Sequence, residues 1–213
     1  MNYNVEYIVN CINNNGYYIL KEYINTDKCK ILYNNIINNS NNYNIAEGGD
    51  KRYSYYTHDL ALEFLNDKFI LEIGTKVLGH QVDKIQKRCQ AAILTYNNKL
   101  ISTSGSPSWH VDNLKPQFKA ILYLTNVSYN NGPFAIITPP IRMDDIDSSL
   151  ICNNNTRIID QPECKLFTDI YKDNIKIITG NIGDVILVNT NYIHRGTVIK
   201  EGERISLTNY YYD

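Results

Sequence analysis

Helical periodicity is clearest at 26–38, TDKCKILYNNIIN, where Ile31, Leu32, Ile36 and Ile37 recur at the spacing of one helix face. Thr26 stands where an N-cap belongs and the polar run NNSNNYN stops the pattern, so a first amphipathic helix is predicted here. Residues 58–80, HDLALEFLNDKFILEIGTKVLGH, repeat the periodicity and predict one or two further helices, broken near Gly74 or Gly79. From Cys89 the character changes. The segments CQAAILTYN, QFKAILYLTNV, GPFAIITP, NIKIITG, DVILVNT and RISLTNYYY are short, β-branched or aromatic, and separated by Gly, Pro, Asn and Asp, which predicts strands. Between 141 and 174 the text is irregular and polar, too long for an ordinary connection, and reads as an insertion or lid carried on the strand-rich half.

Helices followed by strands predict a single α+β domain over 1–213, with a mostly helical part at 1–88 packed on an antiparallel sandwich or barrel at 89–213. The same segregation argues against a βαβ nucleotide fold, and neither GxGxxG nor GxxxxGK[ST] is present. With 213 residues and 43% apolar content the chain can bury a sizeable core. A net charge of −1 gives no basic footprint, so neither a nucleic acid nor an anionic membrane is predicted as a partner. The five cysteines, Cys11, Cys29, Cys89, Cys152 and Cys164, are odd in number and form no CxxC pair, which favours a reducing compartment. The opening MNYNVEYIVNCINNNGYY lacks the layout of a signal peptide, and no segment supplies about 18 clean apolar residues for a span. A soluble, cytoplasmic protein is expected.

Three polar positions in the strand-rich half change the picture. His110 and Asp112 stand two apart in SWHVD, so on a strand their side chains share a face and can form adjacent corners of a metal polyhedron. The pair needs a third ligand, and His194, at the end of GDVILVNTNYIH, is the candidate. Two histidines and one carboxylate on one face leave open positions, as in non-haem Fe(II) oxygenases, whereas zinc would usually add a third His or a Cys. Arg204, ten residues after His194, offers a planar cationic fork suited to a carboxylate, and Ser206 shares its strand face and adds a hydroxyl. Together they can hold one end of a dicarboxylic acid. His58 and His80, near helix ends, suit capping or surface roles, and Trp109 should face away from His110 into a core.

The segments SWHVD, FKAILYLTNVSYNNGPF, GDVILVNTNYIHRG followed by GERISL, and the opening NGYYILKEYINTDKC together resemble the phytanoyl-CoA dioxygenase-like branch of the Fe(II)/2-oxoglutarate-dependent oxygenases. The resemblance implies a double-stranded β-helix, or jelly roll, opened by a short strand and a helix. It implies iron held by His110, Asp112 and His194, and the far carboxylate of 2-oxoglutarate held by Arg204 with Ser206 beside it. Lys119, alternating with Ala120, would face the cosubstrate. The implied activity uses O2 and 2-oxoglutarate to hydroxylate a small molecule or a side chain, with release of succinate and CO2. The carboxylate of Asp112 argues against halogenation. The chain departs from the branch after NGPF, where AIITPPIRMDD lacks the Ser-His often found there, so contacts in that loop do not transfer. A jelly-roll binding protein without turnover, or a cupin-type metal enzyme that does not use 2-oxoglutarate, are the competing readings.

Overall fold

A computed structural model describes residues 3–46, 48–81, 86–98, 102–103, 108–152, 157–158 and 166–212. The elements run α1 (Val5–Asn15), β1 (Tyr17–Leu20), α2 (Thr26–Asn38), β2 (Asn44–Ile45), β3 (Lys51–Tyr53), α3 (Asp59–Leu65), α4 (Lys68–Leu78), β4 (Gln86–Thr95), β5 (Gln117–Tyr123) and β6 (Phe134–Ile137). They continue with β7 (Ile151–Cys152), β8 (Arg157–Ile158), α5 (Leu166–Ile170), β9 (Ile175–Ile178), β10 (Val185–Asn189), β11 (His194–Gly196) and β12 (Glu203–Tyr212). A seven-stranded antiparallel sheet in the order β1-β10-β5-β12-β4-β3-β2 faces a three-stranded sheet in the order β11-β6-β9, which is the predicted jelly roll.

Both faces of the central strands β10, β5 and β12 are largely buried, which explains why these strands read as continuous apolar runs rather than strict alternation. Phe118, Ala120 and Leu122 of β5, with Ile205, Leu207 and Tyr211 of β12, face outward into a core shared with Ile8, Ile12, Leu32, Ile36, Phe64, Ile70 and Ile73 of the helices. The alternate residues Ile121, Tyr123, Ile186 and Val188 point inward and meet Phe134, Ile136 and Ile178 of the small sheet. The helical layer is therefore the outer cover of the large sheet, and the site lies on its inner side.

Several boundaries differ from the expectation. Helix α1 was not predicted: its text is rich in Asn, yet Asn4 caps the N-terminus by accepting from Tyr7 N at 3.0 Å, and Ile8, Val9 and Ile12 form its buried face. Gly16 ends it with φ 86°, a conformation that closes helices without Cβ strain. Helix α2 has the predicted span, but its cap is Asn25, whose side chain accepts from Asp27 N. The break within 58–80 falls at Asn66 and Asp67, because Asp67 caps α4; Gly74 lies buried inside that helix and Gly79 ends it. His58 caps α3, its Nδ1 accepting from Leu60 N at 3.2 Å. Segment 1–88 is also less purely helical than expected, since β1 forms one edge of the large sheet while β2 and β3 form the other.

The insertion at 141–174 has a definite place where it is described. Met143, Ile146 and Phe167 cluster with Trp109, Val111, Ala135, Ile137 and Ile193 on the outer face of the small sheet, and Trp109 Nε1 donates to Thr168 Oγ1 at 3.0 Å. These residues form a back layer, and Trp109 is the core residue expected. Positions 153–156 and 159–165, including Cys164, lie outside the described residues. Among the described residues, no helix is long and apolar enough to cross a membrane.

Candidate metal centre

The two histidines are brought together by backbone pairing. His110 N donates to His194 O at 3.0 Å and His194 N donates to His110 O at 2.9 Å, a reciprocal antiparallel pair that sets the residues directly opposite each other. Their ring centroids are 4.5 Å apart. Asp112 lies beyond this bridge in a bend rather than on the strand expected, and its N–H donates to Thr190 O at 3.1 Å. The loop that carries it is clasped from the other side, where the Asn191 amide donates to Asn113 O at 3.1 Å and Leu114 O at 2.9 Å. The shared face predicted from His-x-Asp spacing is thus reached through a bridge and a bend.

Each imidazole is oriented by its second nitrogen. His110 Nδ1 lies 2.8 Å from Ser108 O and His194 Nδ1 lies 2.9 Å from Tyr192 O, so hydrogen-bond logic assigns the proton to Nδ1 and frees both Nε2 lone pairs. His194 Nε2 is 3.5 Å from Asp112 Oδ2, and His110 Nε2 is 3.9 Å from Asp112 Oδ1. The three residues form a group whose donor atoms all lie within 4.8 Å of one another. Phe134 stacks on His194 with centroids 5.3 Å apart and backs the ring with apolar surface.

The electrostatics leave these donors ready for a cation. Burial pushes the His110 pKa down to about 3, and the neighbouring His194 adds to the shift, so this imidazole is neutral at pH 7. Burial would raise the Asp112 pKa, but the Lys119 ammonium leads the influences that outweigh it and hold the carboxyl well below its usual range. Lys119 Nζ is 2.5 Å from Asp112 Oδ2. A neutral imidazole and an ionised carboxylate are the protonation states a metal requires.

Arg204 and Ser206 occupy the inner face of β12, both buried. Arg204 Nη1 donates to the carbonyl of Gly132, and its Nε is buried with no hydrogen-bond partner among the described residues. Among those residues no carboxylate pairs with it either, so a charged fork stands in the barrel uncompensated. Burial lowers its pKa from the ordinary value, with Tyr123 and Asp50 acting in the opposite direction. Gly132 makes the contact possible: its φ is 68°, and a Cβ there would lie 2.6 Å from Leu94 Cδ2. Lys119 also reaches the interior, but its partner is Asp112.

Cross-strand register shows what the sequence reading missed. The inward positions of β12 are Arg204, Ser206, Thr208 and Tyr210, opposite Leu94, Ala92, Gln90 and Arg88 of β4. Tyr210 is also opposite Lys119 of β5, and Arg52 of β3 sits beside Ala92. Counting by twos from Arg204 would have found Tyr210. Arg88 and Arg52 follow only from register.

No protein-family model matches the chain, and no curated protein matches it. Solved structures do. The epimerase SnoN, solved with Fe3+, alpha ketoglutarate and nogalamycin RO, superposes with a TM-score of 0.71 at 10% identity over 98% of this chain and 83% of that one. This chain has that enzyme's fold. HygX from Streptomyces hygroscopicus, solved with nickel, 2-oxoglutarate and hygromycin B, gives 0.67 at 14% identity over 96% and 86% of the two chains. A Pseudomonas putida prolyl-4-hydroxylase gives 0.63 at 12% identity over 98% of both.

Proposed function

We propose that this protein is an Fe(II)- and 2-oxoglutarate-dependent oxygenase that hydroxylates a small molecule or a side chain of a larger acceptor. The observation that carries this reading is the convergence of His110, Asp112 and His194 beside a barrel whose inner face holds the uncompensated, buried Arg204. The donor set fits the metal: two nitrogens and one carboxylate on one face suit a divalent ion with open positions. The orphaned Arg204 Nε fits the cosubstrate, since a buried donor calls for an acceptor and a five-carbon diacid supplies one.

When bound, iron and 2-oxoglutarate supply O2-dependent oxidation, in which 2-oxoglutarate becomes succinate and CO2 and a substrate C–H becomes C–OH. The chain's residues do the rest. His110 and His194 bind the metal through Nε2, and their Nδ1 contacts keep those lone pairs aimed. Asp112 adds the carboxylate, oriented by Lys119. Arg204 and Ser206 hold the far carboxylate of the cosubstrate, and the apolar side chains Ile121, Phe134, Ile186 and Val188 keep water from the reacting groups.

The test is succinate formation from isotopically labelled 2-oxoglutarate by the iron-loaded protein in air. Slow turnover without added acceptor is expected from the intact chain and none from Asp112→Ala. No succinate from protein shown to carry Fe(II) would contradict the reading and bring forward the cupin or binding-protein alternatives.

A further inference from the structure

A row of polar side chains crosses the inner face of the large sheet at the level of the metal centre. Lys119 of β5, Tyr210 of β12 and Arg88 of β4 are cross-strand neighbours. Lys119 Nζ lies 2.5 Å from Asp112 Oδ2 and 4.5 Å from the Tyr210 ring centroid, and Arg88 Cζ lies 4.3 Å from the same centroid. Gln90 Nε2 donates to the Tyr210 hydroxyl at 3.2 Å. The Tyr210 ring therefore links Arg88 to the candidate iron site through one lysine.

The charges on this wall do not balance. Arg52 is neutralised by Asp50 through two contacts, Nε to Oδ2 at 2.8 Å and Nη2 to Oδ1 at 3.1 Å. Lys119 is matched by Asp112. Arg204 is assigned above to the cosubstrate's far carboxylate. Arg88 has no carboxylate partner among the described residues, and its Nε is buried without a hydrogen bond. Cation–π contact with Tyr210 holds the guanidinium in place but satisfies none of its N–H groups. Arg204 lies six residues earlier on the strand that carries Tyr210, so the two Cα atoms are about 20 Å apart by strand rise. A five-carbon diacid held at Arg204 leaves Arg88 unserved.

We propose that Arg88, presented by Tyr210 beside the metal centre, is the docking point for an anionic group, carboxylate or phosphate, on the primary substrate. A half-buried planar guanidinium takes such a group through the paired N–H donors of its two Nη atoms, and the neighbouring ring and the Gln90 amide offer an aromatic face and a polar edge to the atoms next to it. The charge anchors one end of the substrate on β4 while the position to be oxidised reaches across to the histidines. This inference rests on the proposed iron and 2-oxoglutarate site and adds the class of molecule that site accepts.

The experiment is an anaerobic titration of the protein loaded with Fe(II) and 2-oxoglutarate, using benzoate, phenyl phosphate and benzamide as probes. Heat of binding is read by calorimetry, together with any change in the visible band of a 2-keto acid chelated to Fe(II). At least one anion binds, benzamide does not, and Arg88→Gln weakens the anion about tenfold or more, the size expected for loss of a charge-assisted pair. Arg88→Lys keeps part of the affinity, and the iron and 2-oxoglutarate band survives in both variants. Preference between the two anions identifies the group as carboxylate or phosphate. Equal binding of anions to Arg88→Gln, equal binding of benzamide, or no anion binding by a protein that shows the band would overturn the proposal. Absence of the band would instead remove the iron and 2-oxoglutarate reading, and the same calorimetry on the metal-free protein and Arg88→Gln would decide the role of Arg88.

Discussion

Replacing Lys119 with Met leaves the Asp112 carboxylate in the barrel without its cation 2.5 Å away. Lys119 is 7% exposed, but solvent reaches Asp112, with 21% of its side chain accessible, so water offsets part of the loss and removing the ammonium costs about 1–3 kcal/mol. For a domain of this size each kcal/mol moves the melting temperature by about 2–4 °C, so the metal-free variant should melt roughly 2–12 °C below the intact protein at pH 7.5. A divalent ion bound at His110, Asp112 and His194 supplies the missing positive charge, so most of that deficit should vanish when both proteins are melted with saturating Mn(II). The pH dependence follows from the same pair. In the intact protein the Asp112 pKa is depressed, so its contribution is present above the unfolded value of about 3.9 and is lost as pH falls through the lower folded value. Without Lys119 the folded pKa rises, because the largest influence opposing burial is gone. The melting curves of the metal-free proteins should then converge as pH falls through the variant's folded value toward that of the intact protein. Equal melting of the two metal-free proteins, or a deficit that persists unchanged with metal, would refute the pairing.

Among further expectations, His110 is held neutral with a pKa near 3, whereas the unfolded chain takes its proton near 6.5, so this residue costs metal-free stability as pH falls from about 6.5 to 3. His110→Gln should flatten that window in denaturant titrations at stepped pH. Arg204→Met removes a buried guanidinium with no carboxylate partner, so it should leave metal-free stability within about 1 kcal/mol or raise it, while abolishing the thermal shift given by 2-oxoglutarate. Gly132→Ala, at φ 68° and facing Leu94, should lower stability by about 1–3 kcal/mol in chemical denaturation and raise the 2-oxoglutarate concentration needed for half-saturation, because the carbonyl that holds Arg204 must move.

The strands from Cys89 onward were legible because a jelly roll buries both faces of its large sheet, and burial on both faces writes dense β-branched runs such as QFKAILY and DVILVN into the text. Helix α2 was legible for the complementary reason that only one of its faces is covered. Helix α1 was hidden by Asn-rich composition, although Asn4, the Ile8–Val9–Ile12 spacing and Gly16 mark it once caps are weighed with periodicity. Strands β2 and β3, two and three residues long, carry too few positions for any pattern. At the centre, residue type and chain order picked out His110, Asp112 and His194, but not the bridge between the two histidines or the pull of Lys119 on Asp112. Long-range register decides both, as it decides that Arg88 meets Tyr210. No spacing within one strand records which residue lies opposite on the next.

The most direct measurement is an anaerobic titration of the metal-free protein with Fe(II) and then 2-oxoglutarate, followed at visible wavelengths alongside His110→Ala. A band should grow to one equivalent of cosubstrate in the intact protein and be missing in His110→Ala. Full uptake of Fe(II) with no band on adding 2-oxoglutarate would contradict the iron and 2-oxoglutarate reading.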